Sequence, residues 1–283
     1  MTVSQTREQI SEALQALGLP GGAVVFVHSS MSSIGYVEGG AKALVEAFLQ
    51  VLDPAGTLVV PTFTFSHSQG GKAVFDPTND PSEMGRFTEE TRTRPGARRS
   101  SHLLHSVAAL GGRAEEIALN HGPSAWAADG PFWKLYEADA HILLLGVPYL
   151  RCTFFHLLEQ LVQVPYRQWR EVEALVQGAE GSPRPLPTMV YGPKPGFAGN
   201  DLNKLGLLLE ERGLVQIGQV GNAVTRLFRA RDALEVGLAQ YRMDPLLFLL
   251  TGERSTPLPD GVLTDELNNE KSVLDPAHIY RRR

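Results

Sequence analysis

Apolar and polar positions follow two different periods along this chain. Val24-Val25-Phe26-Val27 is an unbroken apolar run that ends in His28-Ser29-Ser30. A second run, Thr57-Leu58-Val59-Val60, ends in Pro61-Thr62-Phe63-Thr64, and two more are His105-Ser106-Val107-Ala108-Ala109-Leu110 and His141-Ile142-Leu143-Leu144-Leu145-Gly146-Val147. Stretches of helical period lie between them. Ile10, Leu14 and Leu17 share one face near the N-terminus, and Leu44, Val45, Phe48, Leu49 and Leu52 share one face after Gly39-Gly40. Short strands that are apolar on both faces need cover on both sides of the sheet. The alternation predicts an α/β fold, three-layer α/β/α, around a mainly parallel central sheet.

Two segments break the rhythm. Residues 66–101 are rich in Gly, Pro, Asp, Thr and Arg, with one short helical stretch near Glu83 to Thr91. A loop that long inside a compact unit is usually functional or disordered. Past Tyr166, Glu171 to Gln177 reads as a strand and residues 178–199 as a Pro/Gly-rich excursion. Asp201 to Arg212 reads as an amphipathic helix, and Leu214 to Phe228 as paired strands around Gly221-Asn222. Residues 1–170 are thus expected to form an α/β core. Residues 171–283 form a smaller β-rich elaboration completing the same fold, or all of 1–283 form one domain. The polar stretch from Gly252 to Arg283, with Pro257 and Pro259, is expected to be an extended tail.

Composition narrows the function. The 283 residues, 43% of them hydrophobic, are enough to bury a large core. A net charge of −5 argues against a nucleic-acid partner, because such domains carry a basic surplus. The same charge suits a cationic small molecule, which carboxylate-lined clefts concentrate. A single cysteine, Cys152, fits a reducing compartment. No run approaches the ~20 apolar residues of a membrane span, and the N-terminal segment lacks a signal-like apolar core. The expectation is a cytoplasmic protein without a membrane partner.

Three constellations carry possible chemistry. The loop His28-Ser29-Ser30-Met31-Ser32-Ser33-Ile34-Gly35 follows the first strand. Beyond the carboxyl ends of strands, such a loop offers hydroxyls and backbone N–H groups to a phosphate. It reads equally as an ordinary Ser/Gly turn. In Arg98-Arg99-Ser100-Ser101-His102-Leu103-Leu104-His105-Ser106, two arginines beside hydroxyls fit a second phosphate contact. A solvated Arg pair fits too. Neither a Cys pair nor an HExxH run accompanies His102 and His105, so no metal is expected. The sharpest is Cys152-Thr153-Phe154-Phe155-His156-Leu157-Leu158-Glu159, which opens a helix after the His141 to Val147 strand. Residues three and four apart share a helix face, so Cys152, His156 and Glu159 can point the same way, and His156 with Glu159 suits a general base with its orienting carboxylate. Cys152 could be a thiolate nucleophile paired with His156, and the His–Glu pair could be merely structural.

Taken together, these segments resemble the aminoglycoside 3-N-acetyltransferase family. The match runs through the His28 to Gly35 loop, Gly39-Gly40-Ala41, Gly56-Thr57-Leu58 with Pro61-Thr62, Asp76-Pro77 and Pro81-Ser82-Glu83-Met84-Gly85. It continues through Arg94-Pro95-Gly96, Arg99-Ser100-Ser101-His102, Ser106-Val107-Ala108-Ala109, Leu143 to Val147, Thr153 to Glu159 and Val164-Pro165-Tyr166-Arg167. A weaker echo lies at Gly218 to Ala223. Leu103 stands where the family usually has proline.

The resemblance implies acetyl-coenzyme A as donor and direct transfer of acetyl to an amino group of an aminoglycoside-like polyamine, with residues 1–170 as the coenzyme-binding and catalytic core. It makes His156 the base and Glu159 its carboxylate. His28, Ser29, Ser30, Met31, Ser32, Ser33, Thr64, Arg99, Ser100, His102 and Ser106 then line the coenzyme site. Asp76 and Glu83 are the expected contacts to the cationic acceptor. A monomer or homodimer is expected. The alternatives are a non-catalytic coenzyme-binding protein and an acyltransferase that uses Cys152 covalently.

Overall fold

The computed structural model describes residues 4–69, 74–178, 181–196 and 199–250. The tail expected from Gly252 to Arg283 lies outside the described residues. Seven strands form the main sheet: β1 (Val24–Ser29), β2 (Thr57–Pro61), β3 (Arg98–Arg99), β4 (Val107–Gly111), β5 (His141–Leu145), β6 (Gln216–Val220) and β7 (Ala223–Arg229). Their spatial order is β6-β7-β5-β1-β2-β4-β3.

The unbroken apolar runs have the reason expected of them. Along β5, Ile142 and Leu144 join one apolar cluster while Leu143 and Leu145 join another. Phe26 and Val59 face the first cluster, and Val25, Val27, Leu58 and Val60 face the second. Side chains alternate across a strand, so both clusters are served by the same residues in turn. The second cluster also takes Ile10, Leu14 and Leu17, which the N-terminal helix Arg7–Ala16 and its C-cap present at helical spacing. That helix starts at a reciprocal cap: Thr6 Oγ1 accepts from Gln9 N, and the Gln9 side chain accepts from Thr6 N.

The mainly parallel sheet is corrected to a mixed one. β1 pairs in parallel with β2 and β5 at the centre. On one flank β4 runs antiparallel to both β2 and β3; on the other, β7 runs antiparallel to both β5 and β6. A run buried on both faces looks the same in either direction, so strand sense is decided by the connection. After β2 the chain returns at the same end of the sheet, where Thr62 N donates to Ser106 O across 2.8 Å. β6 and β7 are joined by a tight turn at Gly221, whose φ is +59° and where a Cβ would sit 2.5 Å from Ile34 O.

Local boundaries shift for legible reasons. The fourth strand starts at Val107 rather than His105, because the His102 ring accepts the N–H groups of Leu104 and His105 through Nδ1. The strand expected over Glu171 to Gln177 is two pieces, Arg167–Val172 and Leu175–Val176. The unassigned stretch before Gly199 supplies Thr188–Pro193, paired antiparallel with Arg167–Val172. The long 66–101 segment holds the helix Arg86–Thr93, and its short strand Val74–Phe75 pairs with Leu175–Val176. Among the described residues no helix is long and apolar enough to cross a membrane.

Candidate active site

The chemistry-bearing residues gather where β1, β2 and β5 end and β4 begins. His28 closes β1 inside the protein, and its Nε2 accepts from Thr153 N at 2.9 Å. That bond ties the serine loop to the segment leading into the helix His156–Leu161. Ser30 N donates to Leu145 O, and Ser33 Oγ to Gly146 O at 3.0 Å. Gly146 permits this approach: its φ is +67°, and a Cβ there would stand 2.5 Å from the Ser33 Cβ. Ser29, Ser30 and Met31 are half-buried and Ser32 is exposed, so this loop has free surface.

His156 and Glu159 lie one helical turn apart. His156 Nδ1 is 2.5 Å from Glu159 Oε2. Beside an ionised carboxylate, which only accepts, Nδ1 carries the proton and donates, which leaves Nε2 as the basic nitrogen. A quarter of the His156 side chain is exposed, whereas Glu159 is fully enclosed. Glu159 Oε1 accepts from Asn200 Nδ2 at 2.8 Å, and Arg167 Nε lies 3.0 Å from Oε2. Arg167 Nη2 also donates to Asn200 Oδ1 at 2.7 Å. The edge of His156 meets the Trp126 ring, centroids 5.8 Å apart, and Trp126 Nε1 donates to Thr153 O.

Electrostatics follow from this packing. Burial pushes His156 below its ordinary value; Glu159 pulls it upward and Arg167 pushes it down again. Burial alone would raise Glu159, but Arg167, His156 and Asn200 outweigh it and hold the carboxyl at about 2. Burial also pushes Cys152 up, so its thiol stays protonated. Cys152 is fully enclosed in an apolar cluster ahead of the helix, rather than sharing the face of His156 and Glu159. This removes the basis for a thiolate nucleophile there.

The second constellation is knitted into the protein. Arg99 Nη2 donates to Thr62 O at 2.7 Å, Nη1 to Asp80 O at 2.5 Å, and Nε to both Thr62 Oγ1 and Ser106 Oγ. Ser100 Oγ accepts from Val107 N, Thr64 Oγ1 donates to Leu103 O, and Ser106 Oγ donates to Thr62 O. His102 Nε2 faces Met189 O at 3.3 Å. These groups are tied to one another and to the backbone where β2 ends and β4 begins. Of the acids in the long loop, Asp76 Oδ1 accepts from Thr78 N and Asn79 N, and Glu83 accepts from Ser66 N and Oγ. Glu83 is nevertheless exposed. No group of three or more His, Cys, Asp or Glu side chains is placed to hold a metal among the described residues.

Asn200 and Trp126 carry no signal in the sequence. Arg167 and Thr153 fall within the segments matched to the family, yet only the fold shows them converging on His156 and His28.

Buried neutral histidines make this region acid-sensitive. Burial pushes His28 down to about 3 and His102 to about 4, from 6.5. Both values are lowered, so below pH 6.5 the unfolded chain binds more protons and folding weakens as pH falls. At about 1.4 kcal/mol per unit, His102 alone withdraws roughly 3 kcal/mol by about pH 4. Urea midpoints at about pH 7.5 and 4.5 should differ accordingly; equal midpoints would refute the assignment of these rings as neutral.

Comparison with known proteins identifies the family. The model of the family described as aminoglycoside 3-N-acetyltransferase matches residues 26–242. Aminoglycoside N(3)-acetyltransferase IV of Salmonella sp is 32% identical over 246 residues, covering 82% of this chain and 86% of that protein. The apoenzyme structure of aminoglycoside acetyltransferase AAC(3)-IVa is 29% identical, with a TM-score of 0.74, covering 93% of this chain and 98% of that one. A histidine-to-alanine mutant of that relative has been solved with a gentamicin, at 29% identity and a TM-score of 0.75, covering 91% of this chain and 96% of that one. AAC-IIIb, solved in a binary complex with CoASH, is 24% identical with a TM-score of 0.76, covering 88% of this chain and 100% of that one, a likeness of fold. The chain spans most of the length of these relatives, and it belongs to the aminoglycoside 3-N-acetyltransferase family.

Proposed function

We propose that this protein transfers acetyl from acetyl-coenzyme A to an amino group of an aminoglycoside, the 3-amino group being the expected position, by direct attack assisted by His156. The observation that carries this reading is the His156–Glu159 pair at the carboxyl edge of the central strands, with Nδ1 committed to the carboxylate and Nε2 left over. The donor supplies an activated acetyl thioester. Nε2 takes the proton that the acceptor nitrogen must lose as its bond to the acetyl carbon forms; the thioester C–S bond then breaks, and the coenzyme A thiolate leaves as the free thiol by taking up that proton. Glu159 holds the ring and stabilises the cation that results.

Ser29, Ser30, Met31 and Ser32 offer the coenzyme a surface rich in hydroxyls, held to the base by the bond from Thr153 N to His28. The coenzyme site would also draw on His28, Ser33, Thr64, Arg99, Ser100, His102 and Ser106, all of which are buried. Asp76 and the exposed Glu83 lie on the long loop and would meet a polycation. Such capture weakens with salt, as the screening length falls from ~10 Å at 0.1 M to about 3 Å at 1 M.

The test is a panel of aminoglycosides and simple monoamines incubated with acetyl-coenzyme A, with free thiol release as the signal. Thiol release with aminoglycosides, suppressed by salt and retained in Cys152→Ala, is the expected result. A panel without turnover would favour a coenzyme-binding protein. Loss of activity in Cys152→Ala would revive the covalent route.

A further inference from the structure

A carboxylate beside an imidazole does two things at once. It orients the ring, and it favours the protonated form, which cannot act as a base. Glu159 is so enclosed that its charge is weakly screened, so it should make His156 a poor proton acceptor at moderately acid pH. Burial of the ring opposes this first, and the structure carries a second counterweight.

Arg167 projects from the start of the strand Arg167–Val172, with only a tenth of its side chain exposed. Its Nε stands 3.0 Å from the same Glu159 oxygen that His156 engages, and its Nη2 stands 3.5 Å from His156 Nδ1. Asn200 locks the arrangement by donating to Glu159 Oε1 while accepting from Arg167 Nη2. Tyr191 O accepts from Nη1 at 3.3 Å. One neutral amide thus bonds to the carboxylate and the guanidinium together, without adding charge.

The other titratable groups facing His156 are His28 at the end of β1 and His105 ahead of β4, both kept neutral by burial. Tyr166 faces Glu159 and is held protonated by burial and by that carboxylate. Arg167 is the permanent cation in contact with the pair.

We propose that Arg167, fixed by Asn200, is a positioning residue that shares the Glu159 carboxylate with His156 and so keeps the imidazole unprotonated until the acceptor nitrogen delivers its proton. This rests on the reading of His156 as the base. The sign is definite. Removing the cation takes away a charge that repels the imidazolium and frees Glu159 to attract it, and both changes favour protonation.

The experiment compares wild type, Arg167→Gln, Arg167→Lys and Asn200→Ala in two measurements on the full chain. One is the pH dependence of kcat/KM. The other is the NMR titration of the His156 ring protons, assigned by their absence in His156→Ala. Arg167→Gln should move the acid limb and the NMR midpoint upward together by roughly one unit or more, with turnover recovering at high pH. Arg167→Lys, which keeps the charge, should leave both near the wild-type position, and Asn200→Ala should move them the same way by less.

Unmoved limb and midpoint in Arg167→Gln overturn the proposal, even if activity falls at every pH, since a packing role alone would give that pattern. If Arg167→Gln does not fold, an unmoved midpoint in Asn200→Ala overturns it instead. Undiminished turnover in His156→Ala would remove the base assignment, and the NMR midpoints would still report whether Arg167 sets the protonation of the ring.

Discussion

Replacing His156 with alanine should lower turnover by about 10²–10⁴-fold and leave coenzyme A binding nearly unchanged. The structure separates the two effects. The proposed base would act through one nitrogen, Nε2, while the hydroxyls that would receive the coenzyme lie on a loop held by Ser30 N to Leu145 O and Ser33 Oγ to Gly146 O. Neither bond involves His156. The substitution also leaves Glu159 its bond from Asn200 and its contact with Arg167, so the fold should survive. Steady-state thiol release against titration calorimetry with coenzyme A distinguishes the outcomes. Turnover within about threefold of wild type would rule out general-base catalysis by this residue.

The second large effect is expected from Glu159→Gln, in stability as well as rate. The amide keeps the size of the side chain but leaves the enclosed Arg167 without a counter-charge. Breaking a buried pair by removing one partner costs about 3–5 kcal/mol. The same contacts with Arg167 and His156 lower the carboxyl from 4.5 to about 2, a pH-dependent part of that order at roughly 3 kcal/mol. Because the folded value is depressed, this stabilisation is complete above the unfolded value near 4.5 and disappears as pH falls toward about 2.

The difference in unfolding free energy between wild type and Glu159→Gln should therefore be full at neutral pH and shrink in strong acid. Turnover should drop on the order of 10²-fold or more, because the ring loses both its orientation and the anion that stabilises its cation. Denaturant unfolding at neutral and acid pH, alongside rates, checks both parts. A variant as stable as wild type at neutral pH would show that Arg167 is balanced by something other than Glu159.

Much of the frame can be read before any coordinates. The apolar runs from Val24, Thr57 and His141 become strands because residues buried on both faces must be apolar throughout. Ile10, Leu14 and Leu17 become a buried stripe because their spacing puts them on one helical face. The pairing of His156 with Glu159 is legible for the same reason, since residues three apart on a helix are neighbours wherever the helix goes. The tight turn at Gly221-Asn222 is likewise a local matter of backbone freedom.

Strand direction, in contrast, depends on where the chain returns. β4 turned antiparallel because Ser106 meets Thr62 at the end of the sheet that β2 had just left. The fate of polar side chains is just as non-local. Arg99 reads as a free phosphate ligand until the loop carrying Pro77 and Asp80 folds over it and takes up its donors. Cys152 reads as a partner for His156 until the core encloses it. Arg167 and Asn200 lie 11 and 44 residues beyond His156, and no periodicity links them to it. Hydrogen-bond partners and local dielectric are set by what packs alongside. The sequence by itself therefore determined the central strands, the N-terminal helical face and the His–Glu pair, and tertiary packing decided strand sense, the later strands and how that pair is charged.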